Sequence, residues 1–497
     1  MRYRVTTKAP ADVQAEALVV LFDEQGPLGE AVNKVVVEHI ASYRRALEKK
    51  TSSREWFCTL DPQTGAAARH LLLDSAAFGP WMPGREKLKC AAARAVSLCR
   101  EHSISKIAFV VNRKDSLEEA QAVFEGAVLG DFADKRFKSE KPSPAPLDLT
   151  FVVAKDAQKA TTDMLDATEP VLRGVNLARE LVNAPNNILT PGELTGHGVE
   201  IAKEHGLRFE LLDSKKLEKQ GYNLLWNVGR GSEHEPYMLT VSYEPKGRVK
   251  LKEHLCLVGK GMTFDTGGYC IKDRANMYLM NNDMGGAAAT LGTLLAVAEL
   301  QLPLKMTAII PSAHNAIDGG AYHPGAIITS KQGKTVFIGN TDAEGRLILA
   351  DAFQRAARVS PDIMVDFATL TGACVMALGN RLAGLFTEDA QLRALFEQAG
   401  EATGDSLWAM PIWREYAHRL VHPLADLNNI TKPGDMGGAI HAANFLKEFV
   451  PEGVRWAHVD IAGVAATDTP YRCMAAGGTG FGVRLMVDVI RRMVDAA

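Results

Sequence analysis

The sequence predicts an α/β protein of two domains. Three observations carry this. The chain has 497 residues, more than one ordinary hydrophobic core serves. Short apolar runs alternate with helical patterns in both halves. A polar stretch rich in Pro and Asn, NAPNNILTPGE (183–193), falls between the halves.

In the first half, ALVVLF (17–22), HLLLDSA (70–76) and KIAFVV (106–111) read as buried strands, being short, bounded and rich in Val, Leu and Ile. REKLKCAAARAVSLCREH (85–102) and SLEEAQAVFEGAVLGDF (116–132) repeat apolar residues at helical spacing. Strands alternating with helices predict an N-terminal α/β domain with a mostly parallel sheet over residues 1–160. KSEKPSPAPLD (138–148) reads as a surface loop, LTFVVA (149–154) as the last strand of that domain. The charged stretch Arg44, Arg45, Glu48, Lys49 and Lys50 reads as a solvated helix face. A helical pattern from about Thr161 to Val182 makes 161–190 a connecting helix and junction, with a second domain over 191–497.

In the second domain HLCLVGKG, KMTAIIPSA, TVFIGN, DIMVDFATL and WAHVDIAG each set an apolar strand before a polar or glycine-containing turn. Ligands of open α/β sheets bind beyond the carboxyl ends of strands, where these turns lie.

Composition narrows the function classes. Hydrophobic residues are 46% and charged residues 23%, and 56 basic against 59 acidic residues leave a formal charge of −3. That balance gives no electrostatic reason to expect a nucleic-acid or membrane partner. The seven cysteines, Cys58, Cys90, Cys99, Cys256, Cys270, Cys374 and Cys473, are scattered without CxxC spacing, so neither a disulfide framework nor a thiolate metal site is expected. The N-terminus lacks the apolar core of a signal peptide, and a cytoplasmic protein is expected.

Two segments concentrate chemistry. VGKGMTFDTGGYCIKDRANMYLMNNDMGGAAATLG (258–292) packs Lys260, Asp265, Lys272 and Asp283 into 24 residues. GNTDAEGRLILADAF (339–353) spaces Asp342, Glu344 and Arg346 by two, which in an extended backbone aims all three to one side. The following apolar run, LILADAFQRAARV, reads as a helix behind them. Four carboxylates converging near strand ends suit two divalent cations; oxygen ligands favour Mg, Mn or Zn. Two metals about 3.5–4 Å apart share a water, lower its pKa and stabilise a hydrolytic transition state. No HExxH motif is present.

Ordinary structural readings stand beside this one. An isolated Asp or Glu in a loop is usually a cap, a lysine beside carboxylates an ion pair, and GKG or TGG a tight turn. A phosphate loop does not fit: in GAIITSKQGKT seven residues separate Gly325 from Gly333 where four are required.

Together, VGKG-TFD-GG---IK, DMGGAAA and NTDAEGRL, in this order, resemble the signatures of the leucyl aminopeptidase (cytosol aminopeptidase) family. LVNAPNNILTP, DFATLTGACVMALG, GGAIHAANFLKEFV and WAHVDIAG support the resemblance, which covers roughly 165–497. It implies a larger C-terminal α/β catalytic domain with a central mixed sheet. It further implies a metallo-aminopeptidase with two divalent ions per subunit (Zn or Mn, with Mg or Co as substitutes), a bicarbonate, and a homohexamer. Peptides with a free N-terminus are the implied substrates, because one metal binds the α-amine.

On matching positions the resemblance implies that Asp265 and Glu344 bridge both metals. Asp342 completes one shell, and Lys260 with Asp283 completes the other. Lys272 polarises the scissile carbonyl and stabilises the gem-diolate. Arg346, helped by the backbone at Leu370, holds the bicarbonate that acts as base. Met280, Thr369, Gly372, Ala462 and Ala465 match the pocket for the first side chain. Each role has a physical warrant. Lys260 ligates only as the neutral amine, so its pKa has to fall far below about 10.4 under two adjacent cations. Lys272 has to stay charged to stabilise developing negative charge. Arg346 cannot be a base, but its planar fork fits a carbonate.

The chain departs from the family pattern at Asn281 and Asn282, at Tyr269 and Cys270, and in SAHNAIDGGAYHPG (312–325). The rival reading is a structural or DNA-binding family member whose catalysis is secondary. A dipeptidase-like preference is a third.

Overall fold

The structure is a computed structural model describing residues 1–23, 26–27, 69–74, 82–111, 117–139, 145–246, 253–432 and 434–495. The charged stretch around Arg44–Lys50, Cys58 and residues 140–144 of the 138–148 loop lie outside them. The chain divides into two compact units: Met1–Leu172 with Thr469–Ala475, and Arg173–Asp468 with Ala476–Ala497. The boundary falls within the helix Gln158–Asn183.

The first unit is built on a six-stranded sheet. Arg2–Thr6, Asp148–Val152, Lys106–Val110 and Ala17–Asp23 are neighbours in that order, with Arg69–Asp74 also on Ala17–Asp23. All these pairs are parallel, and only the short Gly26–Pro27 strand runs antiparallel. The two helices expected from apolar spacing are Gly84–Glu101 and Leu117–Asp131. They pack closely: a Cβ at Gly126 would lie 2.2 Å from the Lys89 carbonyl oxygen. Lys89 itself is fully buried, paired with Glu86 at 2.7 Å and Glu125 at 2.8 Å. The described residues hold no helix long and apolar enough to cross a membrane.

The second unit is built on a nine-stranded mixed sheet. Its order is Leu407–Met410, Ala383–Phe386, Arg455–Asp460, Ile363–Ala368, His254–Gly259, Lys305–Asn315, Tyr237–Tyr243 and Arg208–Leu212. Gly261–Asp265 pairs with the far end of Lys305–Asn315. The central strands Arg455–Asp460, Ile363–Ala368, His254–Gly259 and Lys305–Asn315 are mutually parallel. Their carboxyl ends therefore share one edge, and Lys260, Thr369 and Ile461 follow them. TVFIGN does not join this sheet: Thr335–Phe337 lies in a separate three-stranded sheet with Ile327–Thr329 and Leu427–Asn428.

Two helices frame the carboxyl edge. Gly285–Leu300, rich in Ala and Leu, is buried almost all round, as a helix without a polar face must be. Its start is pressed against the sheet: a Cβ at Gly286 would sit 2.0 Å from the Phe367 carbonyl oxygen. Gly345–Ala357 packs on the opposing core, where Leu347, Leu349 and Phe353 join Val258, Ile309, Met364 and Phe445.

Candidate active site

At the carboxyl edge the two motif segments meet. Lys260 directly follows His254–Gly259; its N–H donates to the Phe367 carbonyl at 3.0 Å, and its own carbonyl accepts from Ala287 at 2.8 Å. The backbone is thus tied between strand and helix, and the side chain enters the interior with 3% exposure. Its Nζ donates to Asp283 Oδ1 (2.7 Å), Glu344 Oε1 (2.9 Å) and the Thr369 carbonyl (3.0 Å). Lys272 Nζ pairs with Asp265 Oδ2 at 2.9 Å and with Asp342. Each lysine therefore clips together two carboxylates from distant parts of the sequence.

The expectation that Asp342–Arg346 is extended is corrected here. Residues 341–342 form a turn, and Glu344 has φ −76° and ψ −37°, already helical, as the residue capping Gly345–Ala357. The turn into a helix, rather than strand alternation, brings Asp342 and Glu344 together. Ligand oxygens of Asp265, Asp342 and Glu344 all lie within 4.8 Å of one another. Gly345 is required by this approach, since a Cβ there would lie 2.5 Å from Lys260 Cε and 2.7 Å from Nζ.

Several supporting groups were not singled out from sequence. Asn315 Nδ2 donates to Asp265 Oδ1 (2.8 Å) and to the Thr341 carbonyl (3.0 Å). Tyr322 OH donates to the same carbonyl at 2.8 Å. Both lie in 312–325, so the segment that departs from the family pattern builds the cradle of Asp265. Thr369 Oγ1 donates to Asp283 Oδ1 at 2.7 Å. Asp460 accepts from Leu370 N (3.1 Å), Thr371 Oγ1 (2.7 Å) and Ala462 N (3.1 Å), fixing the loops after two neighbouring strands. WAHVDIAG marks Asp460 as a strand-end residue, but sequence carries no sign of its partners.

The remaining expected residues lie around this cluster. Arg346 is 7% exposed; its Nη1 donates to the Asn429 carbonyl at 2.8 Å, and its Nε has no hydrogen-bond partner. Ala465 and Thr369 face each other across Gly285, where a Cβ would meet Ala465 Cβ at 2.9 Å and Thr369 Cγ2 at 3.3 Å. Gly372 opens the helix Gly372–Leu378 and is exposed, whereas Met280 and Ala462 are half-buried. Asn281 Nδ2 donates to the Val182 and Ala184 carbonyls.

The electrostatics follow from crowding acids in a buried place. Burial, then Glu344 and Asp265, raise the pKa of Asp283 against the pull of Lys260. Burial, then Asp265 and Glu344, raise that of Asp342. Asp265 is lowered: burial opposes this, but Lys272 and Lys260 outweigh it. Burial lowers Arg346 to about 10. From the protein's own groups alone Lys260 is held above the usual lysine value, because Asp283, Glu344 and Asp265 overcome burial. The depression expected from sequence depends on cations and is not a property of the polypeptide.

These residues fit divalent cations. Four carboxylates face two ammonium groups, leaving uncompensated negative charge in a buried cluster, which is costly unless metal or protons neutralise it. Asp283 Oδ2 is buried without a hydrogen-bond partner, an acceptor left free beside Lys260 and Glu344.

A mixed α/β sheet bearing such a cluster at its carboxyl edge defines a metal-dependent hydrolase. Residues 176–487 match the model of the cytosol aminopeptidase family, catalytic domain. A "Probable cytosol aminopeptidase" of Nitratidesulfovibrio vulgaris is 40% identical over 425 residues, 83% of each chain. Another, of Nostoc punctiforme, is 42% identical over 480 residues, 95% of this chain and 94% of the relative. Among solved structures, a tomato leucine aminopeptidase variant superposes with TM-score 0.86 at 30% identity, covering 99% of this chain and 96% of that one. Bottromycin maturation enzyme BotP in complex with Mn superposes with TM-score 0.81 at 33% identity, covering 97% and 100%. The chain belongs to the cytosol aminopeptidase family and is a metallo-aminopeptidase.

Proposed function

We propose that this enzyme removes the N-terminal residue, leucine-like and others, from peptides with a free N-terminus, using a two-metal centre. One observation carries the reading: Lys260 joins Asp283 to Glu344 while Lys272 joins Asp265 to Asp342, so both lysines and all four acids form one cluster.

Asp265, Asp283, Asp342, Glu344 and the neutral amine of Lys260 would hold the two cations, with Zn or Mn the best matches; the Mn-bound relative favours Mn. When bound, the cations supply Lewis acidity and an acidified water, and a bicarbonate on Arg346 supplies a proton acceptor. The chain's own groups do the positioning. Lys272, kept charged by Asp265 and Asp342, offers N–H donors to the oxygen that gains negative charge when a peptide carbonyl is attacked. Arg346, anchored through Nη1 on Asn429 and with Nε unpartnered, presents a planar fork to an anion beside Leu370. Thr369 holds Asp283 in place, and Asp460 holds the Leu370 backbone.

Met280, Thr369, Gly372, Ala462 and Ala465 would line the pocket for the first side chain, and its largely apolar lining would favour leucine-like residues without strict selection. A single methylene discriminates by only about 1–3 kcal/mol in an apolar pocket. The reading extends to a cytoplasmic homohexamer, which light scattering tests.

The decisive experiment is hydrolysis of leucine p-nitroanilide by chelator-stripped protein resupplied with Mn or Zn, beside the N-acetylated substrate. Activity restored by metal on the free amine alone is expected. A folded, metal-loaded protein that cleaves no unblocked peptide in a broad panel would remove the reading.

A further inference from the structure

Helix Gly345–Ala357 carries Glu344 and Arg346 at its N-terminal end and Arg355 near its C-terminal end. Around Arg355 the sheet face beneath the helix changes character. Moving away from the carboxyl edge, the registered pair Val258 and Ile309 gives way to Cys256 and Thr307, then to His254 and Lys305. In the adjoining pair of strands, Leu212 and Met238 give way to Glu210 and Thr240, then to Arg208 and Ser242. The apolar core ends there in a pocket of about 400 Å³ whose charged lining is Arg208, Glu210, Glu244, His254, Lys305 and Arg355.

The cations of this pocket are incompletely matched. Arg355 is 6% exposed; its Nε donates to Thr240 Oγ1 at 3.0 Å and its guanidinium pairs with Glu210, which is 53% exposed. Arg208 pairs with Glu244 at 3.2 Å, both well exposed. Half-buried Lys305 has no carboxylate in ion-pair reach among the described residues. Burial, then Lys305, holds His254 below the usual histidine range, against the pull of Asp362 and Glu244. Ion pairs with one exposed partner contribute little, so Glu210 and Glu244 exchange cheaply for another anion.

We propose that this pocket binds a small anion, carboxylate- or phosphate-bearing. Lys305, Arg355 and Arg208 would hold it with the hydroxyls of Thr240, Ser242 and Thr307. The pocket and the catalytic end of the helix lie roughly 20 Å apart, thirteen residues at about 1.5 Å each.

Isothermal titration of the metal-loaded full chain at constant ionic strength tests this, with sulfate as the phosphate-like probe and succinate as the dicarboxylate. Binding with Kd of about 1 mM or tighter is expected for at least one. The stronger probe identifies the source of the anion. Lys305→Gln should weaken binding roughly tenfold or more; in Arg346→Gln, which loses the anion fork of the active site, a binding event of the wild-type affinity should persist. Binding lost in Arg346→Gln but kept in Lys305→Gln would mean that the anion sits at the catalytic centre, and the proposal fails. No heat with either probe overturns it as well.

Discussion

Lys260 Nζ lies 2.7 Å from Asp283 Oδ1, both side chains being buried. The pair closes a cluster in which each of two lysines bridges two acids. Such pairing explains how a polypeptide carries four converging carboxylates without unfolding, and it sets what metal binding has to displace.

The protein is therefore expected to stay folded after chelation, because Lys260 and Lys272 already satisfy much of the cluster. Circular dichroism should keep its shape, while the melting temperature rises with Mn or Zn as for any ligand of the native state. For Lys260 to ligate it must lose a proton that Asp283 and Glu344 hold tightly, and Asp283 and Asp342, both raised, must be ionised. Metal affinity should therefore climb with pH through neutrality, with protons released on binding. Calorimetry in buffers of different ionisation enthalpy measures that release, and a pH-independent affinity would contradict the assigned ligand set.

Replacing Lys272 by Met keeps much of the stem and removes the charge. A fall in kcat of roughly 10²–10³ is expected, the cost typical of losing one donor to a developing oxyanion. Metal content, read by elemental analysis, should change little, since Lys272 is not among the ligands. Unchanged kcat would assign Lys272 to charge balance alone.

Gly345→Ala tests the tightest contact at the site. The added methyl would meet the end of Lys260 at 2.5 Å, and that side chain is fixed by three hydrogen-bonding partners. Metal affinity should fall by roughly 10–100-fold, as when a ligand's support is disturbed, and the metal-free protein should itself lose about 1–3 kcal/mol, because the methyl pushes Lys260 off its partners. Competition with a chelator gives the number.

Below the site, Asp366 and His458 form a fully buried pair at 2.6 Å, with Trp456 Nε1 donating to the same carboxylate at 2.9 Å. Burial works against the imidazolium, but Asp366 outweighs it and the pKa of His458 is raised. A raised histidine stabilises most below its unfolded value of about 6.5 and loses that contribution as pH climbs through its folded value. Asp366→Asn should therefore cost roughly 3–5 kcal/mol at mildly acid pH and less in alkaline solution. Denaturant melts at several pH values decide this; equal losses throughout would show the histidine neutral at all of them.

What sequence alone determined was the central strands and the inventory of chemical groups. Periodicity located the strands 106–110, 254–259, 363–368 and 455–460 because buried parallel strands are continuous apolar runs, and motif resemblance marked Lys260, Asp265, Lys272, Asp283, Asp342, Glu344 and Arg346. What only tertiary structure decided was which group meets which. Asp342 and Glu344 converge through a turn into a helix and not through strand alternation, because Glu344 is already helical. Asn315 and Asp460 gained roles no local pattern signals, since their partners lie 50 and 90 residues away. The charge state of Lys260 could not be read locally either: a pKa is set by every charge within a few ångströms, and only the folded sheet assembles those charges.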